Sequence, residues 1–346
     1  MVAQVTTHWT KNTHGDPIGT LQGLLAEIWE QAKLDGMLIP TQEAPEPVIE
    51  PRLIYDPAGL KGTNPFKPLM TINSARLIPE LLSQHPEKAL GAVLRPCELR
   101  ALLEMAKRDG LNLEKILTIS VDCLGTFPPD DFIWRAERKG SPDTLSRESL
   151  RFARQGGIQA YRYRPSCQFC VAQDAYGADI NIGVLGLPVR KQIIVSLNPK
   201  VADRIDGHKL ADGLADEALI TQRMKMLDRL AERHERTRER VIVGLSGSLP
   251  GDVDALIRQF DQCGACQVCM ETCPICSVDY PRRGEDDRFL RQDVLRWLVS
   301  CAGCGMCELA CPESKPLTAI FTQIREELKQ ALEPSPGMDV EQALPM

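Results

Sequence analysis

Ala89-Leu-Gly-Ala-Val-Leu94-Arg95-Pro96-Cys97-Glu-Leu-Arg-Ala-Leu-Leu-Glu-Met-Ala-Lys107-Arg-Asp-Gly110, continued by Leu-Asn-Leu-Glu-Lys-Ile116-Leu-Thr-Ile-Ser-Val121-Asp-Cys123, is the stretch that decides the fold. Ala89–Leu94 is a short apolar run of the kind a buried strand makes, and Ile116–Val121 is a second. Between them Cys97–Lys107 reads as a helix, and Gly110 suits its C-terminal stop. Strand, helix and strand make a βαβ unit whose two strands lie parallel, because the helix carries the chain back to the same end. The fold class that follows is α/β (α+β) with a short parallel sheet.

Upstream, Leu21–Leu34 reads as a helix with Leu21, Leu24, Leu25, Ile28 and Ala32 on one face and Gly36 at its stop. The Pro-rich stretch Pro40–Pro51 reads as a loop. Downstream, Phe127–Gln159 is polar and broken by Pro and Gly, which predicts loops and one helix; Ile180–Leu197 is β-rich and is expected to return to the sheet. Glu217–Arg240 predicts a long helix, with Ile220, Met224, Leu227 and Ala231 at helical spacing and a solvated Arg/Glu-dense later part. Val241–Pro250 is expected to act as a hinge. The division that results is an α/β domain over 1–215, a helical linker over 216–258, a cysteine-rich domain over 259–330 and a tail over 331–346.

The chain has 346 residues, 43% of them hydrophobic, which is ample for a core and favours two domains over one. A net charge of −6 makes no electrostatic case for nucleic acid or an anionic membrane. The longest apolar stretches, such as Ile193–Leu197 and Val241–Leu245, are too short to span a bilayer. The N-terminus lacks a basic region followed by an apolar core, so the expectation is a soluble, cytoplasmic protein. Thirteen cysteines then stand out. In a reducing compartment clustered thiols bind metal more often than they form disulfides.

Cys263-x-x-Cys266-x-x-Cys269-x-x-x-Cys273-Pro274 is followed by Cys301-x-x-Cys304-x-x-Cys307-x-x-x-Cys311-Pro312. This is the spacing of bacterial-type ferredoxins, in which three thiolates wrap one cubane and the fourth serves the other. Cys263, Cys266, Cys269 and Cys311 are expected to hold one [4Fe–4S] cluster, and Cys301, Cys304, Cys307 and Cys273 a second. Gly264, Gly303 and Gly305 leave room for backbone to approach sulfide. A pair of zinc sites would need neither the third cysteine of each run nor the trailing Cys-Pro. Between the runs, Asp286–Ser300 carries Phe289, Leu290, Val294, Leu295, Leu298 and Val299 on a helical stripe. A full helix there is similar to the mostly helical ferredoxin domains of heterodisulfide reductase and succinate dehydrogenase iron–sulfur subunits. The stripe reads as core packing, with no special role for Trp297.

Four more cysteines lie upstream. Cys97 and Cys123 each follow a strand of the βαβ unit, so both belong at the C-terminal edge of neighbouring strands, where ligands bind in α/β sheets. Cys167-x-x-Cys170 supplies a further pair. Four thiols could close a third four-iron site. Spacing alone equally allows a buried Cys97, an incidental Cys123 and a zinc or redox role for the Cys167/Cys170 pair.

Gly91-Ala-Val-Leu-Arg-Pro-Cys-Glu-Leu-Arg-Ala-Leu, Val121-Asp-Cys-Leu-Gly-Thr-Phe-Pro-Pro, Ser166-Cys-Gln-Phe-Cys and Gly177-Ala-Asp-Ile-Asn-Ile-Gly occur in that order, with the ferredoxin runs downstream. The arrangement resembles the β-subunit family of formate dehydrogenases and deazaflavin-reducing (coenzyme F-420) hydrogenases, over a span from about Gly15 to Pro316. The resemblance implies an N-terminal α/β domain that binds FAD, with Cys97, Cys123, Cys167 and Cys170 as ligands of a third [4Fe–4S] cluster. It implies a flavin that exchanges electrons with a soluble carrier, and clusters that connect it to a catalytic partner subunit and other electron-transfer subunits, in anaerobic metabolism. Gly15-Asp-Pro-Ile-Gly19-Thr20 resembles the start of the family's flavin domain and marks Gly15, Gly19 and Thr20 as FAD contacts; a plain turn before a core helix is the other reading. The chain departs from the family in a surplus Cys276, read as an unligated buried thiol, and in the separation of Gly15 from Gly19.

His8, His14, His85, His208 and His234 are scattered, and no catalytic residue stands out. A P-loop, a Gly-x-Ser-x-Gly element and a Gly-x-Gly-x-x-Gly fingerprint are all missing from the sequence. The chain is too short for a molybdopterin domain, so formate or hydrogen chemistry belongs to a partner. The carrier could be a deazaflavin, a nicotinamide, a ferredoxin or a heterodisulfide reductase flavoprotein. The competing functions are a flavin-free iron–sulfur relay in a heterodisulfide-reductase-like complex and thiol–disulfide chemistry at Cys167 and Cys170.

Overall fold

In the computed structural model, which describes residues 7–42, 49–157, 163–263 and 266–332, the βαβ unit forms as Leu90–Leu94, Pro96–Asp109 and Ile116–Val121. The helix starts where it does because Pro96 sits in its first turn and the Glu98 carboxylate reaches back to accept from the Arg95 N–H at 2.8 Å. It stops at Gly110, which takes φ 62° at the C-cap.

The strands are β1 Thr7–Asn12, β2 Gly36–Gln42, β3 Ile49–Ile54, β4 Leu90–Leu94, β5 Ile116–Val121, β6 Ile180–Gly183, β7 Gln192–Leu197 and β8 Gly213–Leu214. They make one sheet in the order β3-β2-β4-β5-β6-β7-β1-β8. Its centre, β2-β4-β5-β6, is parallel, and its flanks are antiparallel. The sheet is therefore longer than the short parallel one expected, and mixed.

The Pro40–Pro51 stretch is not simply a loop. Pro40 and Pro51 face one another in the β2–β3 ladder, and residues 43–48 lie outside the described ones. The prolines are tolerated because β3 is an edge strand and β4 pairs with β2 only over Gly36–Leu38. Phe127–Gln159 holds two helices, Pro129–Lys139 and Pro142–Arg151, turned at Gly140 (φ 73°); its last residues fall outside the described ones. The first helix runs Pro17–Ala32. The long helix runs Glu217–Leu245, through the start of the expected hinge. Gly264 and residues 333–346 are also outside the described residues.

Pleating sends alternate residues to opposite faces of the sheet. One face carries Trp9, Leu117, Ile119, Val121, Ile180, Ile182, Ile193 and Val195 into a core with Leu21, Leu24, Leu25 and Ile28 of the first helix. On the other face Leu90, Ala92, Leu94 and Ile116 pack with Leu99, Leu102 and Met105 of helix Pro96–Asp109. That core runs on without a break through Phe260, Trp297, Leu298, Phe321 and Ile324 of the cysteine-rich part.

Asp122, one residue past β5, ties these parts together. Its buried carboxylate accepts from the N–H groups of Ala175, Val184 and Leu185, each at 2.7 Å, and from Arg223 of the long helix at 2.6 and 2.9 Å. Burial opposes the charge on Arg223, and Asp122 more than offsets it, so the guanidinium is held charged. Removing one partner leaves a buried charge unpaired. Asp122→Asn is expected to cost about 3–5 kcal/mol in urea denaturation, and adding Arg223→Met should recover part of the loss.

Candidate functional site

The sheet edge presents the upstream thiols. Cys97 lies in the first turn after β4, and Cys123 lies two residues past β5, its N–H bonded to the Gln173 carbonyl at 2.8 Å. The short helix Pro165–Phe169 supplies Cys167 and, at its C-cap, Cys170. The four form one electrostatic group: Cys97 faces Cys123, and Cys123 faces Cys167 and Cys170. Burial pushes the Cys123 thiol up to about 12 and raises Cys97 and Cys170 as well. Burial also works to raise Cys167, but Arg164 and the Thr126 hydroxyl, 3.2 Å from its sulfur, bring its pKa down.

The two ferredoxin runs fold alike. Gln267 (φ 45°) and Gly305 (φ 68°) take left-handed backbone before the short helices Val268–Glu271 and Met306–Ala310, which carry Cys269 and Cys307. Cys263, Cys266, Cys269 and Cys311 line one small cavity with Phe260 and Phe289. Cys273 crosses to the other group, facing Cys301, Cys304 and Cys307. All thirteen thiols are free. Among the described residues no three His, Cys, Asp or Glu stand close enough to hold a single metal ion. A cubane takes one thiolate at each of four irons, so its ligands stand farther apart than those of one zinc ion.

Two residues given no role by sequence converge on Cys273. A hydrogen bond from the buried Cys276 thiol, and after it the Trp297 indole N–H at 3.3 Å, lower the Cys273 thiol to about 7 against the effect of burial. Trp297 is held in place by Phe321 and Phe260, at ring-centroid distances of 5.0 and 5.7 Å. The helical stripe read from the sequence left Trp297 out, and nothing in it signalled that the residue is buried with its N–H on a sulfur.

The upstream and downstream thiol groups adjoin. Cys97 faces Cys304, and Cys307 faces Cys269, so the three groups form a series with the Cys273/Cys301/Cys304/Cys307 group in the middle. Arg100 donates to the carbonyls of Ala172 (3.0 Å) and Ala302 (3.2 Å). Arg164, buried, donates to Thr126 Oγ1 at 2.7 Å and lies 3.3 Å from Met306 Sδ. Ser166 packs so close to Gly305 that a Cβ there would lie 2.2 Å from its hydroxyl.

A cavity of about 1010 Å³ opens over the other half of the sheet. Its floor is the polar face of β5, β6, β7 and β1: Thr118, Asn181, Ser196 and His8, brought side by side by the strand register. Ser120, on the same face, is buried, and its hydroxyl has no hydrogen-bond partner. Ile220, Arg223, Met224 and Leu227 of the long helix line the side facing that floor. The wall at Asp174–Ala175 follows directly from Gln173, which holds Cys123, so the cavity and the upstream thiols share one segment. Gly15, Gly19 and Thr20 lie elsewhere. Asp16 caps the first helix by accepting from the Gly19 N–H at 3.1 Å, and the Thr20 hydroxyl donates to the Asp16 carbonyl at 2.8 Å. Gly15 takes φ 88° in that turn.

The α/β sheet thus gathers free thiols beside a large cavity with a polar floor. Comparison gives the likeness. The profile of a family described as the C terminus of the "Coenzyme F420 hydrogenase/dehydrogenase, beta subunit" matches residues 87–219. The chain is 22% identical over 305 residues to the F420-dependent formate dehydrogenase subunit beta of Methanocaldococcus jannaschii, covering 77% of this chain and 78% of the relative. It is 25% identical over 330 residues to the F420-dependent formate dehydrogenase 1 subunit beta of Methanococcus maripaludis, covering 83% and 84%. Its fold is similar to a chain of the F420-reducing [NiFe] hydrogenase complex from Methanosarcina barkeri, with TM-score 0.50, 13% identity and coverage of 69% of this chain and 91% of that one. Among the described residues no helix is long and apolar enough to cross a membrane.

Two outcomes test this geometry. Gly305→Ala should destabilise the protein by about 1–3 kcal/mol through backbone strain alone, and by more through the Ser166 clash; Ser166→Gly in the same chain should relieve only the second part. His8 lines the cavity, and burial, then Arg223, lower its pKa from 6.5. The folded state therefore binds this proton less readily than the unfolded chain. The stability His8 contributes is complete above about pH 6.5 and is lost as pH falls below it. His8→Gln should reduce the difference in denaturation midpoint between about pH 7.5 and 5.5.

Proposed function

We propose that the chain is the iron–sulfur flavoprotein subunit of a multi-subunit oxidoreductase of the formate dehydrogenase or hydrogenase β-subunit type. The observation that carries this reading is the unbroken series of thiol groups that begins beside the large cavity and ends at the far side of the cysteine-rich part. In this reading Cys97, Cys123, Cys167 and Cys170 hold one [4Fe–4S] cluster. Cys273, Cys301, Cys304 and Cys307 hold a second, and Cys263, Cys266, Cys269 and Cys311 a third. The donor sets fit: each is four free thiols, and no fifth cysteine competes except Cys276, which serves Cys273 as a hydrogen-bond donor.

The cavity suits FAD better than the turn at Gly15, Gly19 and Thr20 does, because it offers a volume of about 1010 Å³, whereas that turn is spent on the helix cap. The floor offers the hydrogen-bonding groups of Thr118, Asn181 and Ser196, held in place by Asp179, Ala178 and His8, and Ile220, Met224 and Leu227 offer apolar cover, the mixture a heterocycle with polar edges requires. When bound, FAD exchanges electron pairs with a soluble carrier, and the clusters accept electrons one at a time. The chain's own residues shield the upstream thiol group from water, bind the flavin against the sheet and dock the catalytic subunit of a cytoplasmic complex. Names of the relatives point to a deazaflavin carrier and to formate or hydrogen chemistry in that partner. A flavin-free relay is the second reading, and the cavity beside the first thiol group argues against it.

Metal and flavin analysis after anaerobic purification is expected to find about twelve irons and one FAD per chain. Cys97→Ser should remove about four irons. Ser196→Phe, which fills the cavity floor, should leave iron intact and abolish flavin. About eight irons without flavin, unchanged by reconstitution with iron, sulfide and FAD, would favour the relay.

A further inference from the structure

We propose that Arg100 and Arg164 raise the reduction potential of the upstream cluster relative to the two downstream ones, an inference that rests on the cluster reading above. The two guanidiniums bracket the Cys97/Cys123/Cys167/Cys170 group. Arg100 Nη2 lies 4.0 Å from Cys170 Sγ, and Arg164 Nη2 lies 4.0 Å from Cys167 Sγ. Both also face Cys97, and Arg95 faces Cys123, so every thiol of this group has an arginine opposite it.

One-electron reduction adds a negative charge to a site already closed by four thiolates. A fixed positive charge a few ångströms away, in a region from which water is excluded, stabilises the reduced form more than the oxidised one. Arginine is suited to this because it keeps its charge when buried. Two carboxylates oppose the effect. Glu98 faces Cys97, but its oxygens are taken by the Arg95 N–H and by Ser74 at 2.8–3.0 Å. Asp174 faces Arg100 from the cavity wall. The downstream groups have less of this charge: Cys263 has Lys315 set against Glu313, and the middle group has Arg325 at Cys301 and shares Arg100 and Arg164 with the upstream one, through Cys301 and Cys304.

The same two side chains hold the spacing between neighbouring groups. Arg100 binds the Ala302 carbonyl between Cys301 and Cys304, and Arg164 touches Met306 between Cys304 and Cys307. They are positioning and tuning residues, since neither ligates iron. A purely structural role would be served by their neutral hydrogen bonds to Ala172, Ala302 and Thr126 alone.

The test is a potentiometric titration followed by electron paramagnetic resonance, on anaerobically purified full-length Arg100→Gln, Arg100→Lys, Arg164→Gln and Arg164→Lys, with iron counted in each. The upstream signal is identified as the one absent from Cys97→Ser. The Gln variants should keep their iron, and the midpoint of that signal should move to lower potential while the other two move less. The Lys variants should restore most of the shift. Full iron with unchanged midpoints in both Gln variants would overturn the proposal. So would equal loss of about four irons in the Gln and Lys variants, which would make the residues structural only. A Cys97→Ser protein that keeps every signal and all the iron of the wild type would instead remove the cluster reading, and the proposal with it.

Discussion

The structure depends on one buried carboxylate. Asp122 gathers three backbone N–H groups and the Arg223 guanidinium at the C-terminal end of the central strand. Those N–H groups belong to the loop after Cys170 and to the turn after β6, and Arg223 belongs to the long helix. A single charge thus sets the positions of the Cys123 thiol beside it, of the segment that carries Asp174 into the cavity wall, and of the helix that lines the cavity. Burying such a charge is costly unless each oxygen is satisfied, and here five donors satisfy two oxygens. The arrangement is demanding in geometry, which makes it a device for fixing one arrangement rather than a source of net stability.

The two halves of the sheet serve different ends. Around β4 the face that receives helix Pro96–Asp109 is apolar, and its core continues into the cysteine-rich part. The cysteine-rich segment is therefore anchored by ordinary hydrophobic burial, reinforced where Ser166 meets Gly305 and where Arg100 and Arg164 cross the junction. From β5 to β1 the same side of the sheet is polar and stands clear of the long helix. An apolar core would have collapsed onto that face. Thr118, Asn181, Ser196 and His8 give collapse no hydrophobic gain, so a space persists beside the first thiol group.

Much of this was legible beforehand. The two four-cysteine runs could be read because their intervals are short and contiguous, and a contiguous interval survives any fold. Cys97 and Cys123 could be paired because a βαβ unit puts the ends of parallel strands side by side. The extra strands, the paired Pro40 and Pro51 and the second helix before Arg151 were harder to see, because edge position and ladder length are not local properties. The role of Trp297 was hidden for a related reason: an indole beside an apolar stripe looks the same whether or not its N–H finds a sulfur.

The sequence by itself determined the βαβ nucleus and the cysteine runs, since each rests on spacing within a short segment. Only the tertiary structure decided which polar residues share the cavity floor. It also decided which arginines face which thiols, and in what order the thiol groups adjoin. Those are relations between residues such as Thr118 and His8, or Arg164 and Met306, that lie more than a hundred positions apart in the chain. Strand register and helix packing bring them within reach, and neither is encoded by the local periods of 2 and 3.6 residues from which a sequence is read.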